Sequence, residues 1–171
     1  PKRGVGIDIS HNMLAIAKDK YAHLEFIKND AEKIDIREQF DYVFASDLIG
    51  YLEDVEKFFR QLSKVTDSKS RVVITYYNYI WEPFLKLAEA LRLKQKQPHQ
   101  NWLSSKDIEN VLYLGGFEVI KSGTKMIFPV YIPLISAFLN RFVGNLPLID
   151  RFGLIQYLVA RQIPRDGREY S

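Results

Sequence analysis

The 171-residue sequence contains no cysteine. That excludes disulfides, thiolate metal sites and cysteine nucleophiles, and it fits a reducing compartment, so a cytoplasmic location is expected. Histidine is scarce too: His11, His23 and His99 are all there are. No His, Asp or Glu cluster has metal-ligand spacing, so no metal is expected. Charge of one sign is in short supply, with Lys+Arg at 24 against Asp+Glu at 21. The only tight basic groups are Lys2-Arg3 and Arg92-Leu93-Lys94-Gln95-Lys96, which read as solvated ends and turns; nucleic acid is not an expected partner. Long apolar runs are missing as well. The most apolar stretch, 126–139, is shorter than a bilayer span and is broken by Pro129, Pro133 and Ser136.

What remains has the size and balance of one globular domain, 47% hydrophobic and 26% charged. Its pattern alternates between strand and helix. A β-branched run at 4–9 leads through Ser10, a plausible N-cap, into Met13, Leu14 and Ala17 at helical spacing. Strands are predicted at 24–28 and 42–46, with only turns and one-turn pieces between them. After Asp54, Phe58, Leu62 and Val65 repeat at i, i+4 and i+7, and a strand follows at 71–76. A helix over 82–93 comes next, then a polar connection through Pro98. A further helix opens at Ser104 or Ser105 and ends at Gly115. Strands at 117–120 and 154–160 complete the set. The expected fold is α/β, a doubly wound and mostly parallel sheet whose ligands bind beyond the carboxyl ends of the strands. One domain is read over 1–163, with an apolar insertion at 125–151 and a tail at 164–171.

Three acids stand at successive strand ends. Asp8 closes the first strand, where a carboxylate can take up vicinal ribose hydroxyls, as in any adenosine-type cofactor site. Asn29-Asp30-Ala31 follows the second strand, and Ser46-Asp47-Leu48-Ile49-Gly50-Tyr51 the third. Together with Gly6-Ile7-Asp8-Ile9-Ser10, Met13-Leu14, Phe40-Asp41-Tyr42-Val43 and Gly115-Gly116-Phe117-Glu118-Val119, these segments resemble the successive motifs of class I S-adenosylmethionine-dependent methyltransferases. The resemblance covers most of 4–120 and implies a Rossmann-like fold with an antiparallel C-terminal strand and S-adenosyl-L-methionine as cofactor. It also implies that Asp8 holds the ribose, that Ile9 and Met13 pack on adenine, and that Asp30 with Ala31 reads the adenine edge. Asp47 and Leu48 then border the methionine half, with Tyr51 near the methyl-transfer region. The family's first strand and its glycine-rich loop have no counterpart in the sequence, since Gly4 and Gly6 precede the acid and belong to the following strand. A sheet without that strand exposes unpaired backbone. The expectation is a longer protein, or a gap filled by another piece of chain.

Aromatic and amide residues gather after the fourth strand: Tyr76, Tyr77, Asn78, Tyr79 and Trp81, then Asn101 and Trp102 ahead of the last helix. Tyr77, Asn78, Trp81, Asn101 and Trp102 are read as contacts to a small-molecule acceptor. His99, in the same polar connection, and Tyr51 are the candidate catalytic groups. The apolar 126–142 segment, flanked by Lys125, Arg141 and Arg151, reads as a lid, a homodimer surface or a peripheral membrane contact. The leading functional reading is methyl transfer to a small molecule. Its rivals are a non-catalytic interaction module that has kept the fold, and a nicotinamide-dependent oxidoreductase. The latter calls for a Tyr-x-x-x-Lys or similar pair, and none stands out.

Overall fold

In the computed structural model, residues 3–92, 101–125 and 153–164 are described. They form strands β1 (Val5–Asp8), β2 (Glu25–Lys28), β3 (Tyr42–Ser46), β4 (Arg71–Tyr77), β5 (Phe117–Lys125) and β6 (Ile155–Gln162). The helices are α1 (His11–Lys20), α2 (Val55–Leu62), α3 (Glu82–Ala90) and α4 (Ser105–Leu114), with single 3-10 turns at Ala31–Lys33, Ile49–Tyr51 and Tyr79–Trp81.

The strands make two sheets. β1 pairs with β2 in parallel, and a four-stranded sheet has the order β3-β4-β6-β5. Within the larger sheet β3 and β4 are parallel, whereas β6 runs antiparallel to both β4 and β5. The C-terminal strand is thus antiparallel, as the resemblance implies. Among the described residues the parallel pairs β1-β2 and β3-β4 with the antiparallel β6 agree with the expected α/β fold, the strands falling into a parallel pair and a mixed sheet. Among the described residues β1 and β3 each have one partner, so each keeps an edge with unpaired backbone groups.

Local chemistry accounts for the helix boundaries. Ser10, Asp54 and Ser104 sit in extended conformation and accept from the backbone N–H groups of Met13, Lys57 and Asp107. At α4 the Asp107 carboxylate also accepts from the Ser104 backbone N–H, which closes a capping box. Helix α3 stops at Ala90, short of the expected end at 93, and Arg92 takes a positive φ of 58° just beyond it. At the end of α4, Gly115 and Gly116 divide the work. A Cβ on Gly115 would lie 2.5 Å from Cβ of Phe59, and Gly116 has φ +86°.

The core lies between the larger sheet and helices α2 and α4. The buried row of β4, Val72, Ile74 and Tyr76, alternates with half-exposed neighbours as a strand's period of two requires. Against it pack Phe58, Phe59 and Leu62 of α2 and Ile108 and Leu112 of α4. Phe59 is fully buried and meets the Phe117 ring at 6.2 Å between centroids, tilted by 55°. The segment after β2 returns to this core through Ala31, Ile34, Ile36 and Phe40. It is fastened there by Glu32, a buried acid whose Oε1 accepts from the backbone N–H groups of Glu53 (2.7 Å) and Asp54 (3.1 Å). β5 is longer than the predicted 117–120 and continues past an irregularity between Val119 and Lys121. Among the described residues no helix is long and apolar enough to cross a membrane. The insertion expected at 125–151 lies outside them apart from Lys125, as does the tail beyond Pro164.

Candidate functional site

Asp47 sits one residue beyond β3, where its backbone N–H still donates to Thr75 of β4 at 3.0 Å. Two unfavourable features coincide in it. Its φ is +52°, a left-handed conformation in which non-glycine residues are uncommon. Its Oδ1 atom is buried and has no hydrogen-bond partner. Burial raises its carboxyl pKa above the ordinary value. Strained backbone and an unsatisfied buried oxygen coincide in one side chain, which makes Asp47 a candidate site residue.

A narrow cleft opens at this point, lined by Asp47, Ile49, Gly50, Tyr76, Tyr77, Asn101, Leu103 and Ile108. It encloses about 280 Å³ counting the part open to solvent, and its tight inner part has room for one water-sized group. Tyr76 also lines the cleft: it is 5% exposed, and burial raises its hydroxyl above the usual pKa against the lowering influence of the nearby Ser105 hydroxyl. The neighbouring Ser105 hydroxyl is engaged with Gln156 Oε1 at 3.0 Å. The Tyr77 hydroxyl is held above its usual pKa by burial and then by the negative charge of Asp47. Tyr51 is raised by burial, then by Tyr77, by the same acid and by Glu89. Asp47, Tyr51 and Tyr77 are therefore one electrostatic unit. Asn101 closes the cleft from across: its backbone N–H donates to Gly50 O (2.7 Å) and its side chain to Leu52 O (2.8 Å).

The residues expected at the adenosine half lie at the ends of the smaller sheet. Asp8 Oδ1 accepts from the Ser10 N–H at 2.7 Å, and the other carboxylate oxygen has no hydrogen-bond partner among the described residues. Beside it Ile9 is 71% and Met13 56% exposed, large apolar surfaces standing in water next to an acid. A ribose against Asp8 and a purine against Ile9 and Met13 fit that donor set and surface. At the end of β2, Asp30 Oδ1 accepts from the Glu32 N–H (2.9 Å) while Oδ2 lies 3.6 Å from Lys33 Nζ. Ala31 and Leu48 are half-buried and pack on the core.

The structure brings Asp47, Tyr77 and Asn101 into one lining and couples Tyr51 to them. Other expected acceptor contacts lie elsewhere. Asn78 is 0% exposed, and its side chain donates to Gly153 O (3.0 Å) and accepts from the Ile80 N–H (3.2 Å). Its backbone N–H donates to Leu154 O (2.8 Å), so the residue ties the end of β4 to the start of β6 and has no face for an acceptor. Trp81 packs on Phe84, 5.6 Å between ring centroids, outside the cleft lining. Trp102 is half-exposed and does not line it either. His99 and 126–142 lie outside the described residues.

Reasoning from sequence placed Tyr76 in the aromatic group after the fourth strand without giving it a contact, and missed Glu32 altogether. The signal for Tyr76 was present: it continues the buried row of Val72 and Ile74, so its hydroxyl had to point inward. Nothing in the pattern around Glu32 sets it apart from an exposed acid in a turn. Among the described residues no group of His, Asp and Glu is arranged to hold a metal ion.

Residues 2–74 match the family described as "Methyltransferase domain". A 78-residue stretch is 37% identical to Phosphoethanolamine N-methyltransferase 2 of Caenorhabditis elegans; the match spans 42% of this chain and 18% of that protein, under a fifth of the relative's length. Among solved structures, an S-adenosylmethionine-dependent methyltransferase from Mesorhizobium loti aligns with a TM-score of 0.67 at 18% identity, over 94% of this chain and 81% of that one. One from Clostridium acetobutylicum aligns with 0.64 at 13%, over 95% and 76%. At such identities the likeness concerns the fold alone. The sequence match at 2–74 is to a methyltransferase domain, and over nearly all of the chain the fold is that of S-adenosylmethionine-dependent methyltransferases.

Proposed function

We propose that the intact protein transfers a methyl group from S-adenosylmethionine to a small-molecule acceptor seated in the cleft between the ends of β3 and β4. The observation that carries this reading is Asp47, an acid with left-handed backbone and an orphaned buried oxygen at the mouth of a cleft beside Tyr51 and Tyr77.

When bound, the sulfonium cofactor supplies an electrophilic methyl group; the protein has mainly to align the acceptor and exclude water. Asp8 takes the ribose hydroxyls, Ile9 and Met13 cover the adenine, and Asp30 with Ala31 reads its edge. Asp47 and Leu48 border the methionine half. Tyr77 and Asn101 line the acceptor end, with Tyr51 beside it. The cleft's small inner part favours a compact acceptor group over a ring system or a polymer. The nematode relative's name, which gives a small amine as acceptor and nitrogen as the methylated atom, supports the same choice. We place the reaction in the cytoplasm, in keeping with a chain free of cysteine.

The test is transfer of tritium from methyl-labelled S-adenosylmethionine to a cell extract split into small-molecule and macromolecular fractions. Label in the small-molecule fraction that is lost with Asp8→Ala is expected; label confined to macromolecules contradicts the reading.

A further inference from the structure

We propose that α3 is a membrane-surface helix, which docks the protein onto an anionic phospholipid bilayer through the apolar stripe Ile80, Phe84, Leu87 and Leu91. The orientation of that helix carries the inference, independently of the methyl-transfer reading.

The helix is amphipathic but inverted. Phe84, Leu87 and Leu91 fall at i, i+3 and i+7, with Ile80 one turn earlier in the 3-10 turn, so they share one face. Phe84 is 62%, Leu87 57%, Leu91 61% and Ile80 36% exposed. Glu82 and Glu89 lie on the opposite face and are half-buried, as is Leu85 beside them. Glu89 acts electrostatically on Tyr51, so that face looks toward the cleft. A surface helix of a globular domain ordinarily turns its apolar stripe to the core and its charges to water. In α3 none of the described side chains is buried, and the large apolar groups stand in water. Single exposed apolar residues need no explanation, but a continuous stripe marks a contact surface.

Charge identifies the surface. The stripe runs at its C-terminal end into Arg92, which is exposed, and the sequence 92–96 holds three basic residues and no acid. The acids of the helix are drawn to the other side, where Glu82 is also paired with Lys86 at 2.6 Å. An apolar stripe bordered by cations and clear of acids complements an anionic lipid surface. The chain as a whole carries a formal charge of +3 at pH 7, which favours the same encounter.

The N-terminal end of the stripe carries Tyr79, 47% exposed, and Trp81, whose ring packs on Phe84. Both ring types settle at the boundary between bilayer and water, with the apolar body inward and the polar edge among the headgroups. Size argues against a second copy of the chain as the occupant. Four apolar side chains, none more than 62% exposed, fall short of the about 800 Å² per partner that a stable protein interface buries. One helix face is enough for binding in the plane of a bilayer. Docked in this way, α3 has the lipid on its outer face and the cleft on its inner one, which holds the cleft one helix away from the membrane surface.

Flotation of the intact protein with vesicles tests the inference. Binding to vesicles of equimolar phosphatidylcholine and phosphatidylglycerol is expected, at least about tenfold stronger than to phosphatidylcholine alone and weakened by added salt. The double variant Phe84→Gln/Leu87→Gln is expected to bind the anionic vesicles at least about tenfold more weakly. It is also expected to melt at the wild-type temperature, because both side chains are exposed. A protein that stays in solution with both kinds of vesicle, that shows no preference for the anionic ones, or that floats equally well with and without the two substitutions overturns the inference. A variant that melts well below the wild type also overturns it, since the stripe is then already covered within the chain. So does a dimer in light scattering that the two substitutions dissolve, which assigns the stripe to a second copy.

Discussion

Asn101 holds Leu52 from across the cleft, donating from its side chain to the Leu52 carbonyl at 2.8 Å while its backbone N–H donates to Gly50 at 2.7 Å. These two bonds fix the 3-10 turn Ile49–Tyr51, and with it the loop that carries Asp47 and Tyr51. Replacing Asn101 with Ala keeps the backbone bond and leaves the Leu52 carbonyl unpaired. The expected loss is about 1–2 kcal/mol in urea denaturation. Faster amide exchange over 48–52 is expected with it. Unchanged exchange there contradicts a positioning role for Asn101.

Glu32 performs a similar service for α2. Its Oε1 satisfies two N–H groups at the helix entry, those of Glu53 and Asp54, from a segment more than twenty residues upstream. Glu32→Ala removes that acceptor from a buried site, and a loss of about 2–3 kcal/mol is expected. Glu32→Gln retains a carbonyl oxygen for the same donors and is expected to lose less than half as much. Thermal melts of the two variants decide the matter, and equal losses exclude the backbone-acceptor role.

The close approach of Gly115 to Phe59 makes a further prediction. A methyl group at position 115 meets Cβ of Phe59 at 2.5 Å, with backbone of both helices behind it. Gly115→Ala is expected to destabilise the fold by about 1–3 kcal/mol as an overpacking change. Gly116→Ala has open space but the wrong sign of φ, and is expected to lose about 1–2 kcal/mol from backbone strain. Adding Phe59→Ala, which itself opens a cavity at a cost of about 3–5 kcal/mol, leaves the Phe59 Cβ in place and so does not rescue Gly115→Ala.

Stability should depend on pH in opposite senses at different acids. The Asp47 carboxyl is raised by burial, so the folded state holds its proton more tightly than the unfolded chain. Its contribution is complete below the ordinary value near 3.8 and is lost as pH rises through the higher folded value. The neighbouring Tyr51 and Tyr77 hydroxyls are themselves raised and stay neutral across that window. Asp47→Asn, which has no proton to lose, is expected to gain stability relative to the wild type between pH 4 and pH 7. Asp107 and Asp67 behave oppositely. The Ser104 hydroxyl and N–H lower the first, and the N–H groups of Lys69 and Ser70 lower the second. Their contributions are present above 3.8 and are lost as pH falls through the folded values. Asp107→Asn is therefore expected to flatten the acid limb. Urea midpoints at pH 3, 4, 5 and 7 check both signs.

Much of this was legible in the sequence because it is local. The caps at Ser10, Asp54 and Ser104, the two-residue period of β4 and the three acids at strand ends follow from short-range preferences and side-chain chemistry. The resemblance in motif order supplied the roles proposed for Asp8 and Asp47. What escaped depends on partners distant in sequence. That β6 enters between β4 and β5 is a matter of pairing between segments some eighty and forty residues apart. The burial of Glu32 is decided by α2, and the diversion of Asn78 into a structural link is decided by Gly153 and Leu154. Asp47 falls between the two cases: its position was readable, but its left-handed backbone and unsatisfied oxygen belong to the folded cleft alone.

The most direct test of the central claim is a calorimetric titration of S-adenosylhomocysteine into the intact protein, repeated with Asp8→Ala. Saturable one-site binding that falls at least about tenfold on losing the Asp8 carboxylate, a change of about 1.4 kcal/mol, is the predicted result. Binding that is absent from the wild type, or that is the same in the variant, contradicts an adenosine site at the end of β1 and with it the methyltransferase reading.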